Sequence, residues 1–377
     1  MSCTSTFPKG VPPPRPSPLL PRACFAASNS CRGFRNYYGE IFTEPRIDRL
    51  YIIKGGPGTG KSHFMRVVAR HARAAGYTVT ECYCSSDPAS LDGLLLSREG
   101  DSTVGFLDGT APHTREPVTP GAVDELVNLG AFWSAKALAG EKETIRTLGQ
   151  AKTNAYARAY AYLRAAGEAD AVADSLAADC IRTDRLKALA ERLLRPVPSG
   201  DTFAPVPALR RALGMTGWAS LPSFEEAARG GTLLLPEDHY GTGYRLTNAL
   251  YTLSETRRHR LWVSYDPVFP HKIDGLFYPD TGLCVLVGSA NPTDDCATRA
   301  LRLRRYTCPE RLRDVREELR RAMSLRDDLL SAALHSLSRA ATHHFELERI
   351  YAAAMDFPAK ERFTEEFCRE LFGDTGM

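Results

Sequence analysis

Gly55-Gly56-Pro57-Gly58-Thr59-Gly60-Lys61-Ser62 satisfies the pattern G-x-x-x-x-G-K-[ST]. The apolar run Leu50-Tyr51-Ile52-Ile53 precedes it, and His63-Phe64-Met65-Arg66-Val67-Val68-Ala69-Arg70 follows with helical spacing. Strand, glycine loop and helix in that order predict a phosphate-binding loop. Gly55, Gly58 and Gly60 open backbone conformations closed to residues with a Cβ. Amides of the loop, with those of Lys61 and Ser62, can then converge on a phosphate as an anion nest. The N-terminus of the following helix adds a favourable dipole and unpaired donors. The expected ligand is a nucleoside triphosphate, held by Gly55, Gly56, Pro57, Gly58, Thr59, Gly60, Lys61, Ser62 and His63. Lys61 is expected to bridge the β- and γ-phosphates, and the Ser62 hydroxyl to hold Mg²⁺.

Mg²⁺ needs a carboxylate besides a hydroxyl. Val104-Gly105-Phe106-Leu107-Asp108 is an apolar strand ending in an acid, so Asp108 is the expected second metal residue. A turn-capping role for Asp108 before Gly109-Thr110 is the alternative. Asp87, at the end of Glu81-Cys82-Tyr83-Cys84-Ser85-Ser86-Asp87, is a rival for the metal or a candidate base, and Asp92 stands third. The catalytic set is therefore Lys61, Asp108 and Asp87. Gly109 follows Asp108, so no acid stands there to activate water. His113 lies just beyond the strand end, and Arg98, Arg115 or a residue from the second half could supply an arginine finger.

Outward from the loop, the organisation is legible in composition. Residues 1–22 are rich in Pro and Ser and read as a disordered leader. Strands are predicted at 49–53, 78–82 and 103–107, with helices at 61–75 and 121–129. Alternation of this kind predicts an α/β fold, a parallel sheet with helices on both faces. Residues 134–195 are rich in Ala, Arg, Leu and Glu and read as helical, and Pro196-Val197-Pro198-Ser199-Gly200 reads as a linker.

The second half then echoes the first. Gly241-Thr242-Gly243 matches Gly58-Thr59-Gly60, and Ile273-Asp274-Gly275-Leu276 matches Leu91-Asp92-Gly93-Leu94. Val285-Leu286-Val287-Gly288-Ser289-Ala290 matches Phe106-Leu107-Asp108-Gly109-Thr110-Ala111, and 309–372 is helical again. A duplication follows, with one unit at 23–197 and a degenerate second at 205–377. On this alignment Tyr244 replaces Lys61, Arg245 replaces Ser62 and Val287 replaces Asp108, while Glu237 and Asp238 bring negative charge to the phosphate seat. Only the first site is expected to work.

The chain has 377 residues and a net charge of +3, which makes no bulk case for nucleic acid. The arginines at 299–305 and 316–321 read as solvated helix faces. Ten cysteines are scattered, and only Cys82 and Cys84 lie close in sequence, without a second pair at zinc spacing. Reduced thiols in the cytoplasm are the expectation. No apolar run reaches the roughly 18 residues of a membrane span.

Several stretches come in a characteristic order: Phe25 onward with Asn29, Gly33, Phe34 and Tyr37; Lys54 through Ser62; Cys84-Ser85-Ser86-Asp87; Leu91-Asp92-Gly93; Asp108 through His113; and Pro120-Gly121 to Asn128-Leu129-Gly130. Together they resemble a little-characterised bacterial family of two-repeat P-loop ATPase-like proteins, within the P-loop NTPase superfamily. The resemblance spans nearly the whole chain after the leader and implies ATP or GTP binding; it implies no substrate. No Asn-Lys-x-Asp guanine-reading motif is present, which favours ATP. The leading expectation is a Mg²⁺-dependent ATPase that couples hydrolysis to a conformational change. The alternatives are a small-molecule kinase and a non-hydrolysing nucleotide sensor. The partner, protein or small molecule, is left open.

Overall fold

In a computed structural model, which describes residues 20–43, 46–111, 114–228, 231–236, 240–288 and 298–373, the strand ahead of the glycine loop lies inside a six-stranded sheet. The first half opens with β1 (Ala23–Phe25), a hairpin of β2 (Ala27–Ser30) and β3 (Gly33–Asn36), and one helical turn, α1 (Tyr38–Ile41). Next come β4 (Arg49–Lys54), α2 (Lys61–Ala74), β5 (Thr78–Tyr83), β6 (Leu91–Ser97), β7 (Val104–Asp108) and β8 (Asp124–Asn128). The helices α3 (Ala135–Gly140), α4 (Lys142–Ala178) and α5 (Thr183–Leu193) fill the first helical segment. The leader expected at 1–22 falls outside the described residues as far as residue 19.

The order in the sheet is β1-β5-β6-β7-β4-β8. β4 pairs in parallel with β7 and β8, so Leu50, Tyr51, Ile52 and Ile53 are all buried. The sheet is mixed, which corrects the parallel sheet expected. β6 runs antiparallel to both β5 and β7. Residues 84–90 are too few for a crossover, which needs about a dozen. The helix expected at 121–129 is also corrected: it is a turn at Gly121 (φ 76°) followed by edge strand β8. Asp124 accepts the amides of Val118 and Thr119, which shapes the turn, and the free edge of β4 captures the strand.

The second half repeats this order. Its elements are β9 (Ala204–Pro207), β10 (Arg211–Gly214), β11 (Gly217–Ser220), α6 (Ser223–Ala228), β12 (Thr232–Leu235), α7 (Thr242–Thr256), β13 (Arg260–Tyr265), β14 (Ile273–Tyr278), β15 (Leu283–Val287) and β16 (Thr298–Ala300). The long α8 (Pro309–Ala353) and α9 (Phe357–Phe372) follow. The second sheet runs β9-β13-β14-β15-β12-β16, the same arrangement strand for strand, with β14 antiparallel to its neighbours. Phe25, the last residue of β1, and Leu209, two residues past β9, bond to each other through both amides (2.8 and 3.0 Å). This bridge marks a pseudo-twofold axis. Around it one apolar core joins the inner faces of both sheets, including Leu50, Ile52 and Leu107 from the first and Trp262, Phe277 and Leu286 from the second.

The outer faces are covered by exchange. Helix α2 packs its Phe64, Met65 and Val68 on the first sheet, and α9 from the far end of the chain covers it with Phe363, Phe367 and Cys368. Helix α5 of the first half covers α7 and the second sheet with Leu186, Leu189 and Ala190. The bridges Trp133–Met355 and Ile181–Thr307 repeat the same crossing on each side. Among the described residues, no helix is long and apolar enough to cross a membrane.

Candidate active site

The glycine loop takes left-handed backbone at two of the three expected glycines; Gly55 does not, and is glycine for want of space. Gly58 and Gly60 take φ values of 70° and 80°, in the left-handed region. A Cβ on Gly55 would stand 2.7 Å from Thr59 Oγ1, so the loop closes tightly on itself. Thr59 Oγ1 donates to the Gly56 carbonyl at 2.9 Å and holds that closure. Among the described residues, the amides of Gly55, Gly56, Gly58, Thr59, Gly60, Lys61 and Ser62 meet no hydrogen-bond acceptor. Gly60 caps α2 without a side-chain partner, so the first turn keeps its donors for something outside the helix.

Lys61 Nζ donates to the carbonyls of Gly55 (3.2 Å) and Gly56 (2.8 Å) and lies 3.6 Å from Asp108 Oδ2. Parallel pairing of Ile53 with Asp108 is what carries the acid to the loop's side of the sheet. Asp108 Oδ1 accepts both the amide and the hydroxyl of Thr110. The turn-capping role and the approach to Lys61 therefore coexist, one on each carboxylate oxygen. Ser62 Oγ accepts the Leu91 amide at 2.9 Å and retains a second lone pair. Ser62 and Asp108 each keep capacity for a cation beside Lys61. Among the described residues no group of three or more His, Cys, Asp or Glu could hold a metal by itself.

The other acids and bases serve different ends. Asp87 accepts the Ala89 amide (3.2 Å) and the Ser90 hydroxyl (2.6 Å), a local turn, and none of these bonds reaches the loop. Asp92 is buried within β6 and accepts the Tyr38 hydroxyl at 2.9 Å. Arg98 bonds the Ala75 carbonyl and pairs with Asp101. That places it at the C-terminal end of α2, roughly 20 Å along the helix from the loop. Arg115 offers its carbonyl to Lys54 Nζ (2.8 Å) and buries an unbonded Nε. His113 lies outside the described residues.

Residues from the second half complete the site, and sequence reading had no signal for them. A Cβ on Gly58 would stand 2.4 Å from the Glu348 carbonyl of α8, and one on Gly56 would stand 3.0 Å from the Tyr351 ring. The Trp133 ring lies 5.8 Å from that of Tyr351, tilted by 53°, on the same side. Lys360 Nζ of α9 lies 3.1 Å from His63 Nδ1. Burial, and then the Lys360 charge, hold the His63 imidazole below its ordinary pKa. These residues sit in amphipathic helices nearly 300 positions away, where a charged side chain reads as surface.

The second loop is different chemically. Helices α2 and α7 align at their ends: Gly76 (φ 83°) and Arg258 (φ 58°) occupy the same left-handed position after each. In this register Leu246 replaces Phe64 and Leu250 replaces Val68, each buried. Gly243 then stands at the Lys61 position and Tyr244 at the Ser62 position. At the loop end the left-handed N-caps Gly60 and Gly241 match instead and put Thr242 at the Lys61 position, because α7 is one residue longer than α2; the lysine is missing in every register. Pairing of β14 with β15 does place Val287 where Asp108 stands. Arg211 fills the vicinity, 2.8 Å from Asp274 and 3.4 Å from Asp266, and the Tyr244 hydroxyl donates to Asp266 at 3.0 Å. Arg245 is drawn away to Asp174 of α4 at 2.8 Å. Glu237 and Asp238 lie outside the described residues. No protein-family model matches the chain, and neither curated proteins nor solved structures give a match.

Proposed function

We propose that the first repeat binds Mg·ATP on residues 55–63 and hydrolyses it, while the second repeat binds none and responds through its helices. The observation that carries this reading is the run of acceptor-free amides between Gly58 and Ser62, with Lys61 beside Asp108. Such a nest at a helix N-terminus is matched to a polyanion by dipole, donor geometry and charge. Lys61 would exchange two carbonyl partners for phosphate oxygens, a charge-assisted bond in place of neutral ones. Ser62 and Asp108 would hold the Mg²⁺, which neutralises charge on the phosphate oxygens.

Coupling follows from the contacts of Gly56 and Gly58 with Tyr351 and Glu348. A loop that rearranges around phosphate has to move against α8. A nucleotide sensor with slow turnover is the second reading, favoured by Gly109 at the position after Asp108. The test is phosphate release from Mg·ATP by the wild-type chain, Lys61→Ala and Tyr244→Ala. Lys61→Ala is expected to lower turnover or affinity by about 10²-fold. Tyr244→Ala is expected to leave both nearly unchanged. Tight binding without release would select the sensor; equal damage from the two substitutions would sink the assignment of the site to the first repeat.

A further inference from the structure

Lys360 is 1 % exposed, yet among the described residues no carboxylate pairs with it. Among the described residues its ammonium meets one acceptor, His63 Nδ1 at 3.1 Å. It stands 3.4 Å from where a Cβ on Gly60 would lie, against the first turn of α2. The positive end of the helix dipole and the unpaired amides face the same region. The adjacent Glu361 is exposed and makes no ion pair with it. A buried ammonium needs a compensating charge; here the groups in contact are an imidazole and a phenyl ring (Phe357, 5.9 Å), and the only carboxylate felt among the described residues is that of exposed Glu361, through space. Burial lowers the Lys360 pKa, and the nearby Glu361 charge only partly opposes that.

The duplication supplies an internal comparison. Helix α5 packs on α7 as α9 packs on α2. The Asp356 amide bonds the Phe132 carbonyl where the Arg182 amide bonds that of Tyr306, both at 2.8 Å. Counted from these points, Lys360, Thr364 and Cys368 on α9 match Leu186 and Ala190 on α5 and Leu194 at its C-cap, and all six are buried. Where the loop has lost its lysine the covering helix carries leucine, and where the loop keeps it the helix carries Lys360.

We infer that Lys360, delivered from the second repeat, is a ligand to the terminal phosphates of the nucleotide in the first, and that this contact ties α9 to the triphosphate state. The inference rests on the reading of residues 55–63 as a triphosphate site. Bound phosphate would supply the missing anion and leave His63 as a second, neutral partner.

The test titrates Mg·ATP and inorganic tripolyphosphate against the wild-type chain, Lys61→Ala, Lys360→Leu and Lys360→Arg, and records the melting of each ligand-free protein. Lys360→Leu, the residue of the matching position, should weaken both ligands by about tenfold or more, the loss of one bond between charged groups. Its ligand-free melting temperature should stay level or rise, because a buried charge is removed. Lys360→Arg should keep most of the affinity. Wild-type affinity in Lys360→Leu, or weaker binding accompanied by a lowered ligand-free melting temperature, would overturn the inference while a Lys61→Ala defect left the loop reading intact. Failure of the wild-type chain to bind either ligand, or wild-type binding by Lys61→Ala, would overturn the loop reading and the inference together.

Discussion

Gly58 shows how much one residue of the loop carries. Its φ of 70° is costly for any side chain, and the Glu348 carbonyl would sit 2.4 Å from an added Cβ. Gly121, at φ 76°, has nothing within 4 Å of that point. Gly121→Ala should therefore cost only the backbone strain, about 1–2 kcal/mol. Gly58→Ala should cost clearly more in urea unfolding, since backbone cannot swing aside as a flexible side chain does. Equal costs would mean that α8 does not press on the loop. The loop itself was legible in sequence because every requirement is local: strand, three glycines, lysine and helix are contiguous. Asp108 was legible because an apolar run ending in an acid places that acid at a strand end. Asp87 and Asp92 have the same local appearance, and only pairing and packing show one as a turn cap and the other as a buried partner of Tyr38. Lys360 has no local signature at all.

At the scale of elements, the two helices that follow the glycine loops, α2 and α7, end alike and differ in how well they end. Tyr77 and Gly76 return hydrogen bonds to Ala72 and Arg73, a closure that requires a left-handed residue at Gly76. His259 and Arg258 make the same bonds to Ser254 and Glu255, with an arginine at φ 58°. Arg258→Gly should therefore stabilise the protein by about 1 kcal/mol, seen as a rise in thermal midpoint. A fall would show that the Arg258 bond to the Asp201 carbonyl, 3.3 Å, outweighs the strain. Helices with long amphipathic patterns were readable at this scale, among them α2, α4 and α8. Strands β6 and β8 were not. Leu91-Asp92-Gly93 looks like a turn and Asp124 to Asn128 looks helical until a neighbouring strand offers its edge.

At the scale of the whole molecule, the repeats are consecutive in sequence but interlocked in space. Residues 23–197 alone would lack α9, leaving Phe64, Tyr51 and Phe106 without Phe363 and Phe367. Residues 205–377 alone would lack α5 over Leu246 and Leu250. Neither half is expected to unfold cooperatively by itself, and the two should fold together when co-expressed. A sharp, independent melt of either half would show that the exchange is dispensable. The sequence by itself determined the glycine-loop geometry, the α/β class, the order of core and helical segments and the loss of lysine in the second loop. These depend on neighbours within a few residues or on patterns repeated along the chain. The tertiary structure alone decided the antiparallel strand in each sheet, the crossing of the terminal helices and the arrival of Glu348, Tyr351 and Lys360 at the first loop. Those depend on which apolar faces find each other after the chain doubles back, a choice made by burial across the pseudo-twofold core rather than by any contiguous stretch.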